Sequence, residues 1–244
     1  MNLNKLAINS LITTLLFLSF PSFSAIALDR TRVIYNEGQK SVSIGLTNES
    51  KDKPYLSQTW LENEQEEKLN TPFIITPPVQ RIEFNSKSQV KIQAIGAVSK
   101  LPQDRESVFY INVREIPPRS SDVNVLQIAL QTRIKLFYRP KGLGSNERME
   151  ENPLAKEISL IKTNNIYTMK NPTPYNLTVI KIDVNNKSID SFEGIMIEPF
   201  SQKKLELAGN NLGDSPFIYY LNDFGGLAEL RFKCQGQQCL VISK

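Results

Sequence analysis

The 244-residue chain contains no histidine. That removes Ser-His-Asp and Cys-His catalysis and the common zinc sites, all of which draw on imidazole. Carboxylate or lysine chemistry stays open in principle, but no motif marks it. An enzyme using carboxylates is thus a weakly supported reading. Cysteine is nearly as scarce, with Cys234 and Cys239 in CQGQQC the two present. A redox pair would more usually be Cys-x-x-Cys, and two thiols alone make a poor zinc site. In an oxidising compartment a disulfide is the default, and the short spacing with Gly236 suits a hairpin staple. There is also no compact run of basic residues. Lys and Arg number 29 against 25 Asp and Glu, a net charge of +4 that asks for no nucleic acid. No internal repeat, low-complexity stretch or sustained helical periodicity is visible.

Long hydrophobic runs are missing too, apart from one near the start. Lys5 supplies a positive charge, residues 11–20 are apolar, and Ala25-Ile26-Ala27 fits a small-x-small cleavage site. The run is shorter than the ~20 residues a membrane span needs. The pattern predicts a signal peptide over residues 1–27, removed after Ala27, and a secreted product with no later membrane insertion. Cleavage there leaves 217 residues (244 − 27), enough for one large or two small domains.

What is present is a series of short apolar/polar alternations divided by turn residues. Residues 31–35, 41–46, 55–61, 73–76, 81–84, 89–95 and 108–113 read as strands, with Trp60 as a core aromatic. The longest alternation is VLQIALQTRIKLFY, residues 125–138. Leu126, Ile128 and Leu130 point one way; Gln127, Ala129 and Gln131 point the other. At about 3.3 Å per residue it spans roughly 45 Å, beyond the usual strand: it reads either as an ordinary buried strand with ragged ends or as one that outruns its sheet and leaves an apolar row at a free edge. Arg139-Pro140 and residues 141–144 end it and make a linker. Residues 158–162, 166–169, 177–184, 194–197, 203–207, 217–221, 227–233 and 240–242 are again strand-like, and 145–156 could hold a short helix. The pattern gives an all-β protein of two immunoglobulin-like β-sandwich domains, residues 28–140 and 145–244.

Several stretches together resemble the periplasmic chaperones of the chaperone–usher pilus pathway, the PapD-like family. They are LDRTRVIYNEGQKSVSI, KPYLSQTWLENEQ, TPPVQRIE, LPQDRESVFYINVREIPP, NVLQIALQTRIKLFYRP, NPTPYNLTVI and YLNDFGG, in family order across most of the chain. The resemblance implies two immunoglobulin-like domains set at an angle with a cleft between them, in the periplasm. It implies capture of pilus subunits that lack a strand, by loan of the chaperone's own strand, and their delivery to an outer-membrane usher. With it comes the expectation of a non-enzyme with no cofactor and no metal. It places a carboxylate anchor on Arg32 and Lys135 with Thr31 assisting, donor residues on Leu126, Ile128 and Leu130, and an inter-domain ion network on Glu106, Arg139 and Asp223. The short loop between Pro118 and Val125 is similar to the subclass serving rod-like pili. An unloaded chain could cover its free edge by self-association.

Two matters stay open in the sequence. Lys135 has the opposite parity from the donor row, so either a bulge near Thr132 or a cleft reached from the opposite face must reconcile them. The other function in view is a secreted adhesin or carbohydrate-binding module, although neither an aromatic platform nor a carboxylate cluster is found. The sequon Asn176-Leu177-Thr178 is a chance match in this setting.

Overall fold

Two separate hydrophobic cores form, one drawn from residues 26–138 and one from 158–239. The computed structural model describes residues 25–121, 124–143, 157–163, 166–207 and 211–242. The expected leader up to residue 24 and the expected helix over 145–156 lie outside these described residues.

The first core is enclosed by two sheets. One runs Ile26–Leu28, Val42–Asn48, Ser86–Ala94 and Phe73–Thr76; the other runs Arg32–Asn36, Gln131–Arg139, Ser107–Ile116, Tyr55–Glu62 and Lys68–Leu69, with Val79–Ile82 also on Tyr55–Glu62. Alternation fixes the packing: Val33, Tyr35, Ile111, Leu136 and Tyr138 point inward from the second sheet against Ile44, Leu46, Val90 and Ile92 of the first. The second core lies within strands from Ser159–Thr163 to Gln238–Val241, joined in one hydrogen-bonded path. Leu160, Met169, Val179, Ile182, Ile218 and Phe232 are buried there. These are the two immunoglobulin-like sandwiches. Cys234 and Cys239 face each other across the hairpin Leu227–Gln235/Gln238–Val241 and are disulfide-bonded, with Gly236 at positive φ in the turn. Among the described residues no helix is long and apolar enough to cross a membrane.

Three expectations are corrected. The boundary after Ala27 cuts through a strand. Ile26–Leu28 pairs antiparallel with residues 46–48, Ile26 is buried, and its N–H donates to Glu115 at 2.8 Å. The folded domain therefore includes Ile26 and Ala27. Trp60 is half-buried and points away from the core, because Ser57, Thr59 and Leu61 take the inward parity of that strand. Its ring lies between Lys68 and Arg114, and its Nε1 donates to Glu62 at 2.6 Å. Finally, the long strand is strand only over Gln131–Arg139. The partner Ser107–Ile116 ends at Pro117-Pro118, which have no N–H to continue the ladder; the last rung is Glu115 N–H to Leu130 O, 3.0 Å. Residues 125–130 extend past it.

Candidate functional site

The chain segment 26–36 changes sheets. Ile26–Leu28 belongs to one sheet, and Arg32–Asn36 then lies parallel to Gln131–Arg139 in the other. Pairing on that side begins with Arg32 opposite Lys135. From Gln131 to Ile134 the strand is bonded only to Ser107–Ile116, so its other edge is unpaired. This open edge and the residues before it form one side of the site.

Leu126, Ile128 and Leu130 are 84%, 63% and 39% exposed. They continue the parity of Ile134 and Leu136. The ladder from Gln131 to Tyr138 runs without a register shift, so no bulge intervenes. Lys135 therefore lies on the opposite face, with Arg133, Phe137 and Arg139. Of the two ways to reconcile the parities, the register selects a cleft on that opposite face.

Paired residues of adjacent strands project from the same face, which brings Arg32 and Lys135 side by side. Arg32 is 8% exposed. Its Nη1 donates to Leu221 O at 3.1 Å and its guanidinium lies 5.6 Å from the Phe137 ring, but its buried Nε has no partner. Burial holds this guanidinium below its usual range, partly offset by the charges of Asp223 and Glu106. Lys135 is half-buried and, among the described residues, its ammonium makes no hydrogen bond or ion pair. Burial, then the nearby charges of Arg32 and Arg133, push its ammonium down. Two adjacent desolvated cations, one with an unused buried donor, are chemically short of an anion with two acceptors. Thr31 sits at their edge, so close to Gly225 that a Cβ there would collide with its Oγ1.

Four residues along the same strand the situation is reversed. Arg139 Nη2 and Nε donate to Glu106 Oε1 at 2.7 and 3.0 Å, and Nη1 and Nη2 donate to Asp223 at 2.7 and 3.0 Å. Its guanidinium lies 4.9 Å from the Tyr175 ring. Burial alone would lower its pKa; the hydrogen bonds to Asp223 and the charges of Glu106 and Asp223 outweigh that and raise it. Glu106 Oε2 also accepts from Asn176 N and Nδ2 at 2.9 and 3.2 Å, and Glu106 N–H donates to Pro174 O at 2.9 Å. Glu106 and Arg139 come from the first sandwich; Asp223, Asn176 and Tyr175 come from the second. The three expected network residues thus meet, and they join the two sandwiches. Sequence reasoning misses Asn176 and Tyr175. Asn176 stands within NPTPYN, and its sequon distracts from it, although its amide nitrogen is engaged by Glu106. The cavity between the sandwiches is lined by Arg32, Phe137, Arg139, Tyr175, Tyr220 and Asp223 among others.

Comparison with known proteins bears on this arrangement. Residues 25–144 match the family described as pili and flagellar-assembly chaperone, PapD N-terminal domain. Residues 153–240 match pili assembly chaperone PapD, C-terminal domain. The chain is 45% identical over 231 residues to chaperone protein PapD of Escherichia coli, covering 93% of each. It is 43% identical over 235 residues to the probable fimbrial chaperone YfcS of Escherichia coli K12, covering 94% of this chain and 92% of that one. Among solved structures it is similar to the periplasmic chaperone SfaE, with a TM-score of 0.67 and 35% identity over 84% of this chain and 98% of the other. Both domain families are thus matched in one chain, and the chain belongs to the PapD family of pilus-assembly chaperones.

Proposed function

We propose that the chain captures pilus subunits in the periplasm by completing their fold with its own residues 125–134, and passes them to an outer-membrane usher. The observation that carries this is the junction of two features. An exposed apolar row, Leu126, Ile128 and Leu130, leads into an unpaired sheet edge, and that edge ends beside the unpaired cations Arg32 and Lys135. A subunit lacking a strand has the complementary deficiencies: an apolar groove, unpaired backbone groups and, at its chain end, a carboxylate.

Each part has a distinct physical role. Burying each of the three donor side chains is worth about 1.5–3 kcal/mol in gross terms, from which ordering and association subtract. That row sets strength but not register, because a slip of two residues keeps the same face inward. A carboxylate held by the Arg32 guanidinium and the Lys135 ammonium supplies the register, with Thr31 at its edge. The Glu106–Arg139–Asp223 network fixes the angle between the sandwiches, so the anchor and the donor row keep one spacing. The role is one of binding, with no bond made or broken. The leader is removed before Ile26, since the strand it begins is part of the fold. When unloaded, a second copy of the chain is the readiest cover for the open edge.

The test is co-purification with a pilus subunit lacking its last strand. Wild-type protein retains it; Lys135→Ala, still folded, does not. Equal retention by the variant overturns the anchor.

A further inference from the structure

The loop 221–226 carries Phe224, which is 81% exposed, the largest apolar surface left open in the second sandwich among the described residues. The loop holding it is tightly fixed. Asn222 Oδ1 accepts from Phe224 N and Gly226 N at 3.0 and 2.8 Å, Asn222 N donates to Gly226 O at 2.9 Å, and Gly225 N donates to Asn222 O at 3.0 Å. Gly225 has φ +79°, which glycine adopts without strain.

The loop is also clamped to the first sandwich on both sides of Phe224. Asp223 is held by Arg139, and Gly225 abuts Thr31. Leu221 O accepts from Arg32 just before. The turn 223–225 therefore bridges from Arg139 at the closed end of the cleft to Thr31 at the open end, with Phe224 as its exposed middle residue. Leu227, 56% exposed, stands at the foot of the same hairpin. An aromatic ring on a turn held by these hydrogen bonds has few torsions to order on contact, which is the economy that makes such residues effective anchors.

We infer that Phe224 is a specificity-determining residue of the cleft: it receives an apolar side chain lying one or two positions before the carboxylate that Arg32 and Lys135 hold. The inference rests on the carboxylate reading above and adds a preference to it. Backbone pairing accepts any sequence, and the two cations recognise any chain end. Phe224 gives the cleft a way to tell one chain end from another.

The test uses full-length mature protein and N-acetylated twelve-residue peptides with a free carboxylate, alike except for Leu or Ser immediately before the last residue. Calorimetric titration is run with both, and with the amidated Leu peptide. Wild type binds the Leu acid about tenfold tighter than the Ser acid, in line with burial of one apolar side chain. Phe224→Ala brings the ratio close to one with an unchanged thermal midpoint, and Phe224→Leu restores most of it. A ratio unaltered in Phe224→Ala, with carboxylate dependence intact, overturns this inference alone. Equal wild-type binding of acid and amide, or no binding of either, overturns the carboxylate reading and this one with it.

Discussion

Arg139 and Arg32 stand at opposite ends of the same pair of strands and are both nearly buried. Arg139 donates four hydrogen bonds to two carboxylates drawn from both sandwiches. Arg32 has one backbone acceptor, an idle Nε and an unpaired lysine for a neighbour. Identical chemistry is saturated at one end of the cleft and left short of an anion at the other. A buried charge left without its counter-ion is costly unless another molecule supplies one. The closed end therefore reads as architecture and the open end as a binding site.

Truncation should do different damage at the two ends, and the largest loss of stability is expected at the closed one. Arg139→Ala leaves Glu106 buried without its cation, and such losses cost about 3–5 kcal/mol. Urea unfolding should show a correspondingly lower stability; a midpoint equal to wild type would remove the architectural role. Lys135→Ala should do the opposite. Its stability stays within about 1 kcal/mol of wild type, while capture of a strand-deficient subunit weakens by about 2–5 kcal/mol, the range for truncating one side of a desolvated charge pair. Loss of stability without loss of capture would reverse the assignment.

Ile128→Asp separates strength from register. Ile128 is exposed in the free chain, so folding should be unaffected, but an unpaired carboxylate would enter the subunit groove. Capture should fall by about 1.5–3 kcal/mol, from the lost apolar burial alone. The residual complex should still respond to Lys135→Ala. Were it to lose that response, row and anchor would not be separate devices.

The sequence displays some of this plainly and hides the rest for physical reasons. Period-two alternation marks the strands, and Phe73–Thr76, Leu177–Val184 and Phe217–Leu221 match expectation at both ends. Alternation does not say which of two faces is inner. In YLSQTWLE the aromatic suggests one parity, yet Ser57, Thr59 and Leu61 occupy the core side. Nor does it say where a strand loses its neighbour. The proline pair ending Ser107–Ile116 is visible in the sequence, but its consequence for Leu130 needs the register. Ile26–Leu28 is masked by its likeness to the end of a leader. For the site, exposed and buried cations look the same in one dimension. Arg32 and Lys135 gain meaning from the family resemblance, and the pairing of Arg32 with Lys135 from the structure. The turn bearing Phe224 is legible as a turn, but not as the piece that spans both ends of the cleft.

The smallest effect distinguishes the two cations of the open end from each other. In the free chain the Lys135 ammonium is held below its ordinary value by burial and by Arg32 and Arg133. A carboxylate seated beside it raises that value again, so the complex holds the proton more tightly than the free protein does. Affinity is then complete below the free-state value and declines as pH rises through it, by at most about one decade per pH unit, until the bound-state value is passed. Arg32 stays charged throughout and contributes no slope. Titrating an N-acetylated carboxylate peptide free of Lys, Tyr and Cys from neutral to alkaline pH should show the decline in wild type. It should be absent in Lys135→Arg, whose charge does not titrate there. A slope shared by both proteins would assign the proton to some other group and leave Lys135 without its place at the open end.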